Sequence, residues 1–199
     1  MKNYSKYINL KYDVIEIKKR LLWMRSKAQH QEAMELLKNV QSKPFKYPPI
    51  FIIGPPRSGS TLMFQLMVNK FHVSYLQNRM QFYKYSLPIY IRKLDANEEH
   101  HSDFQSELGK TNAASGPHEG GYFWRRFYPR QTHDYAPGHL SPNEKFEVIN
   151  TIKFFQYHFE CPFLSKNMEI ALRLTSVQEM FPDAVFIIMK RDPRATASS

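Results

Sequence analysis

Residues Pro49 to Met67 read PIFIIGPPRSGSTLMFQLM, and this stretch decides the fold. Ile50-Phe51-Ile52-Ile53 is an apolar run of buried-strand length. Gly54 ends it, and a tight polar loop follows, Pro55-Pro56-Arg57-Ser58-Gly59-Ser60-Thr61. Leu62, Met63, Leu66, Met67 and Phe71 then recur at helical spacing. Strand, loop and helix in that order aim backbone N–H groups and the positive end of a helix dipole at one place. Small residues allow a close backbone approach, and Ser and Thr hydroxyls add donors. The stretch therefore predicts an anion site. An ordinary strand-to-helix turn rarely combines two glycines, three hydroxyls and an arginine.

The loop almost satisfies the phosphate-binding pattern G-x-x-x-x-G-K-[ST]. Gly54, Gly59 and Thr61 are in register, but Ser60 stands where that pattern has Lys, and the cation comes earlier, as Arg57. The patterned lysine reaches the terminal phosphates of a nucleotide while the hydroxyl holds Mg²⁺. Here the hydroxyls are left for the anion itself, and Arg57 supplies a planar fork of donors.

A second anion site is expected far downstream. Val185-Phe186-Ile187-Ile188-Met189 reads as a strand and runs into Lys190-Arg191-Asp192-Pro193-Arg194. A nucleotide triphosphatase would close this strand with an Asp for Mg²⁺. Cations at that position suit another anion.

Between the two sites, short strands alternate with helices. His72 to Leu76 and Pro162 to Ser165 read as strands, the latter ending at Lys166. Ser141-Pro142-Asn143-Glu144 is a capping box with Pro at the first helical position, and its helix is expected to reach about His158. Ala171 to Met180 reads as a helix stopped by Pro182. Asp95 to Gly109 reads as a loop or lid, and Gly116 to Gly138, dense in aromatics and Arg, as irregular structure. The alternation predicts an α/β fold: a P-loop-like three-layer α/β/α domain on a parallel sheet, with sites at the strand C-termini.

Residues 1–48 form a separate unit on this reading, a basic helical extension followed by a Pro-rich linker from Lys43 to Pro49; the domain proper spans 49–199. The extension carries eleven Lys and Arg against four Asp and Glu, or +7 of the chain's net +10. Apolar residues recur among these charges, with no Pro or Gly from Asp13 to Val40. Such a segment suits weak contact with an anionic membrane; a solvated helical face packed on the domain explains the same pattern. The total charge favours anionic partners. At 199 residues the chain has room for a single substantial core. Cys161 is the only cysteine, so no intrachain disulfide forms. No apolar run is long enough to span a membrane, and no secretory signal is visible; a cytoplasmic location is the expectation.

With both motifs in view, the chain resembles the sulfotransferases that use 3′-phosphoadenosine-5′-phosphosulfate (PAPS). Pro56-Arg57-Ser58-Gly59-Ser60-Thr61 is similar to their 5′-phosphosulfate loop, closest to the P-R-S-G-[ST]-T form of the tyrosylprotein and glycan branch. FPDAVFIIMKRDPRATASS, residues 181–199, resembles their 3′-phosphate segment, in which an Arg after the strand and a Ser eight residues later grip the 3′-phosphate. Arg191 and Ser199 have that spacing. Ser165-Lys166-Asn167 matches the strand end found between the two motifs. The resemblance implies PAPS as co-substrate, no metal, and Arg57, Ser58, Gly59, Ser60, Thr61, Arg191 and Ser199 as its binding residues. Family members continue past the second motif, so the resemblance also implies a C-terminally truncated domain with part of the adenine pocket missing.

Sulfuryl transfer needs a base for the acceptor hydroxyl and cations on the sulfonate and the leaving oxygen. Arg57 and Lys166 suit the cationic roles; the alternative for Lys166 is a surface lysine. The tyrosylprotein branch has its Glu in the region that reads Gln77-Asn78-Arg79 here, with no carboxylate. The candidate base is instead Glu119, in Ser115-Gly116-Pro117-His118-Glu119-Gly120-Gly121, with His118 as its rival and His158 more distant. Glu119 could otherwise only pair with Arg125 or Arg126. The expected acceptor is a hydroxylated compound such as a glycan, with Tyr122, Phe123, Trp124 and Tyr128 available for sugar stacking and Arg125, Arg126 and Arg130 for acidic groups; the same rings fit core or nucleotide contacts. No nucleic-acid partner is expected. The alternatives are a P-loop kinase or NTPase and a non-enzymatic basic anion-binding protein.

Overall fold

The computed structural model of the chain describes residues 2–96, 102, 104–107, 109–128 and 138–194. Two helices come first, α1 (Lys2–Ala28) and α2 (His30–Gln41). The helical pattern of the extension therefore breaks once, at Gln29. Next come β1 (Ile50–Ile53), α3 (Ser60–Lys70) and β2 (Ser74–Tyr75). A 3₁₀ turn at Asn78–Tyr83 leads to α4 (Leu87–Ile91), and α5 (Gly121–Trp124) is a single turn. Then follow α6 (Pro142–Phe159), β3 (Phe163–Lys166), a 3₁₀ turn at Met168–Arg173, α7 (Leu174–Met180) and β4 (Val185–Ile188). The helix expected from Ala171 thus splits, since its first residues form the 3₁₀ turn. Residues 97–101, 103 and 108 of the expected lid, Arg130 with the rest of 129–137, and residues 195–199 lie outside the described residues.

Among the described residues the strands form one parallel sheet in the order β2-β3-β1-β4. Strand β1 is central because its IFII run is apolar on both faces, as a parallel sheet covered on both sides requires. Ile52 faces α3, packing with Phe64, Val68, Tyr75 and Leu164. Phe51 and Ile53 face the larger core, with Trp124, Phe155, Phe163, Val177 and Phe181. Phe51 sits at the centre of that layer: its ring stacks on Phe186 at 5.6 Å and meets the edge of Trp124 at 6.2 Å.

The capping box forms as expected. Ser141 Oγ accepts from the Glu144 N–H, and the Glu144 carboxylate accepts from the Ser141 N–H at 2.9 Å. Helix α6 then anchors the extension. Ala33, Leu37 and Val40 of α2 are buried, and α2 packs on α6. Burying a leucine such as Leu37 contributes about 1.5–3 kcal/mol. Lys153 Nζ donates to the Gln41 carbonyl at 3.0 Å, where a cation favours the C-terminal end of α2. Gln156 holds the linker, accepting from the Lys46 and Tyr47 N–H groups and donating to the Tyr47 carbonyl at 2.8 Å. A packed helical face is therefore correct for α2. For α1 it fails over residues 13–21, which are all exposed. No helix among the described residues is long and apolar enough to cross a membrane.

Candidate functional site

In a parallel sheet, chain reversals place loops from neighbouring strands at one edge. Here β1 lies between β3 and β4, with Ile52 opposite Lys166 and Ile53 opposite Ile188. The loop after β1, the end of β3 and the turn after β4 therefore meet. They enclose a cleft of about 350 Å³ lined by Arg57, Gly59, Ser60, Thr61, Glu119, Lys166 and Arg191, among others.

The loop after β1 is shaped by close approach. A Cβ on Gly54 would lie 2.8 Å from Met189 Cβ and 2.9 Å from the Met189 carbonyl, so only glycine lets the loop pass the end of β4. Arg57 has φ 63°, a left-handed conformation costing a side-chain-bearing residue about 1–2 kcal/mol. Its carbonyl accepts from Arg191 Nη1 at 2.8 Å, which fastens the two predicted anion loops together. Gly59 begins α3 with no side-chain cap. The first-turn N–H groups of Ser60, Thr61 and Leu62 precede the first helical bond and sit at the cleft wall. Ser58 Oγ is buried with no hydrogen-bond partner among the described residues. A bare helix N-terminus and an exposed guanidinium at the cleft are what an incoming oxyanion would satisfy, with the unpartnered Ser58 hydroxyl in the same loop.

The cleft floor is Lys166, buried at the end of β3. Its ammonium donates to Glu119 Oε1 and reaches Thr61 Oγ1 at 3.3 Å. Glu119 is held in turn by the next residue in the strand-end motif: Asn167 Nδ2 donates to the Glu119 carbonyl at 2.9 Å, while Asn167 Oδ1 accepts from the Glu169 N–H at 2.7 Å. Gly120 then starts α5 at φ 73°, and a Cβ there would lie 2.4 Å from Leu76 Cδ1. This turn places Glu119 over β3, and Trp124, at the end of α5, donates to Ser165 Oγ at 3.3 Å.

His118 does not line the cleft. Its N–H bonds to the Leu76 carbonyl, its Nδ1 accepts from the Gly120 N–H at 2.8 Å, and its ring packs on Tyr122 at 4.7 Å. Burial pushes its pKa below the ordinary imidazole value, against the opposing pull of Glu119. His158 is elsewhere, with Nε2 3.0 Å from the Leu94 carbonyl. Ser199 lies outside the described residues.

Several sequence readings change. Glu119 pairs with Lys166; Arg125 pairs with Glu169 and Arg126 with Glu147. Phe123, Trp124 and Tyr128 are buried in the core, so they are not available to stack on a sugar. Tyr128 makes the burial explicit: its hydroxyl is 2.8 Å from Ser176 Oγ, and burial raises its pKa to about 12. Residues with no assigned role also line or brace the site. Ser106 and Gly109 form part of the cleft wall, and buried Gln65 donates to the Gln105 carbonyl at 3.4 Å and accepts from Ser102. Nothing in the local sequence pairs α3 with residues 102–109. Asn167 was visible as the neighbour of Lys166, but its grip on Glu119 spans a long stretch of chain.

Comparison with known proteins gives one match. A family model described as "Sulfotransferase family" covers residues 48–199. No curated protein and no solved structure matches the chain.

Proposed function

The chain belongs to the sulfotransferase family, and on that premise we propose that it moves a sulfuryl group from PAPS to a hydroxyl acceptor, in the manner of the tyrosylprotein and glycan branch. One observation carries the reading: a buried lysine at a strand end bridges the loop hydroxyl of Thr61 and the carboxylate of Glu119, beside an anion-ready loop. Cation, carboxylate and anion loop are the three parts that sulfuryl transfer uses.

The donor supplies an activated sulfuryl group whose bond to the bridging oxygen is weak. The 58–62 segment and Arg57 hold its 5′ phosphosulfate end; Arg191, bonded to the Arg57 carbonyl at 2.8 Å, is the candidate for the 3′-phosphate. Lys166 shifts from Glu119 toward the bridging oxygen, where negative charge develops. Glu119, released, takes the proton of the acceptor hydroxyl. The acceptor oxygen bonds to sulfur as the sulfur–bridge bond breaks, and the electron pair of that bond leaves on 3′-phosphoadenosine 5′-phosphate. A glycan bearing acidic groups suits the net charge of +10.

A P-loop kinase or NTPase is disfavoured by Ser60 at the patterned Lys position and by Lys190-Arg191 after β4. Isothermal titration with 3′-phosphoadenosine 5′-phosphate, ATP and ADP separates the readings. The expected result is at least tenfold tighter binding of the 3′-phosphorylated nucleotide, about one charge-assisted contact's worth. Equal affinities would overturn the PAPS assignment. Transfer of labelled sulfonate from PAPS onto a panel of glycans and small hydroxyl compounds then identifies the acceptor class.

A further inference from the structure

Helix α1 has two unlike faces. On one, Leu22 is half-buried and Ser26 fully buried; Ser26 Oγ accepts from the Tyr85 N–H at 3.1 Å and from the Ser86 hydroxyl at 3.0 Å. On the other, Val14, Ile17, Leu21 and Met24 recur at spacings of three, four and three residues, each between 47% and 60% exposed. At 100° per residue the centre of this stripe lies about 140° from that of Leu22 and Ser26. The held face turns the apolar stripe away from the domain, into water.

Charge decides what covers it. Lys18 and Arg25 border the stripe on one side, Arg20 and Lys27 on the other. Asp13 is an acid on the same border, and Glu16 is occupied by Lys19 at 2.6 Å. Two copies packed stripe to stripe would set mostly cations against cations, in either orientation. An anionic lipid surface meets the cations on both borders at once and needs no register.

We propose that α1 lies in the surface of an anionic bilayer. Val14, Ile17, Leu21 and Met24 enter the boundary between headgroups and acyl chains; Lys18, Arg20, Arg25 and Lys27 meet the headgroups. The contact holds the cleft-bearing domain at the membrane through Ser26 and α2, and it does not depend on the reaction assigned to the cleft.

The test is co-sedimentation of the full chain with vesicles of phosphatidylcholine alone and of phosphatidylcholine mixed with phosphatidylserine, with the protein's mass measured in parallel by light scattering. The expected result is a monomer that partitions at least tenfold more strongly onto the serine-containing vesicles, in a salt-sensitive way. The double substitution Ile17→Gln, Leu21→Gln should lower that partition about tenfold or more, and Lys18→Gln with Arg25→Gln should remove much of the salt sensitivity. All four side chains are exposed, so circular dichroism should show the fold kept. Equal partition onto both vesicles, no partition, or partition unchanged by the double substitution overturns the proposal. So does a dimer that the double substitution dissociates, which would assign the stripe to a second copy.

Discussion

The ammonium of Lys166 is hydrogen-bonded to the carboxylate of Glu119. Lys166 is buried and Glu119 is partly open to the cleft, and among the described residues that line the cleft Glu119 is the one acid. A buried charge without its partner is costly, about 3–5 kcal/mol. On the proposed mechanism the pair keeps a carboxylate and a cation next to each other until an anion takes the cation over.

Glu119→Gln keeps the shape of the side chain but cannot accept a proton. Labelled sulfonate transfer should fall roughly 10²–10⁴-fold, with nucleotide affinity within a few-fold of the parent. His118→Ala should do less, because His118 is outside the cleft lining and spends Nδ1 on the Gly120 N–H. Near-parent turnover in Glu119→Gln together with loss in His118→Ala would transfer the role to the histidine.

Lys166→Met removes the cation while filling the same space. Turnover should drop about 10²–10³-fold, the usual effect of losing one group aimed at developing charge. Thermal melting should also show a less stable protein, since Glu119 loses its partner. A variant with parent turnover would place Lys166 among structural residues only.

Arg191→Ala should erase most of the preference for 3′-phosphoadenosine 5′-phosphate over ADP, a loss of about 10- to 100-fold in affinity measured by titration. It also frees the Arg57 carbonyl, to which Arg191 donates at 2.8 Å. Equal weakening toward both nucleotides would show that Arg191 acts by bracing the first loop.

Gly54→Ala should destabilise the fold by about 1–3 kcal/mol in urea unfolding, because its methyl would overlap the Cβ and the carbonyl of Met189. An unchanged midpoint would mean that the β1 and β4 ends separate easily.

His118 gives the fold a dependence on pH. Its folded-state pKa is below the ordinary 6.5, chiefly through burial. The unfolded chain thus takes up a proton first as pH falls. Its contribution to stability is complete above 6.5 and is lost progressively as pH drops through that value toward the lower folded one. Urea midpoints measured one unit above and one unit below 6.5 should differ by less in His118→Ala than in the parent. An identical pH dependence would remove His118 from the explanation.

Local sequence determined the parts of this protein that rest on neighbouring residues. The IFII strand, the Gly-rich loop, the capping box at Ser141 and the basic turn after Ile188 each follow from residues a few positions apart. Their order also predicted a parallel sheet, because strands separated by helical crossovers pair that way. The sequence likewise marked Glu119 and Lys166 as candidates, one from its Gly-bounded loop and one from a strand end. Only the tertiary structure decided that they touch. Their meeting depends on the β1–β3 register, on the left-handed turn at Gly120 and on the Asn167 bond to the Glu119 carbonyl, three long-range or conformational facts that no local pattern encodes. The same holds for the aromatic stretch. Phe123, Trp124 and Tyr128 have the composition of a sugar-stacking surface, yet they are buried, because β1 and β3 need a cover on that face and α5 supplies it. In the N-terminal extension, the sequence marked a basic helical segment with apolar residues recurring among charges, and did not divide it. Packing divided it into two helices: α6 offers α2 an apolar face at Leu37 and Val40, and the domain holds α1 through Ser26 and the edge of Trp23.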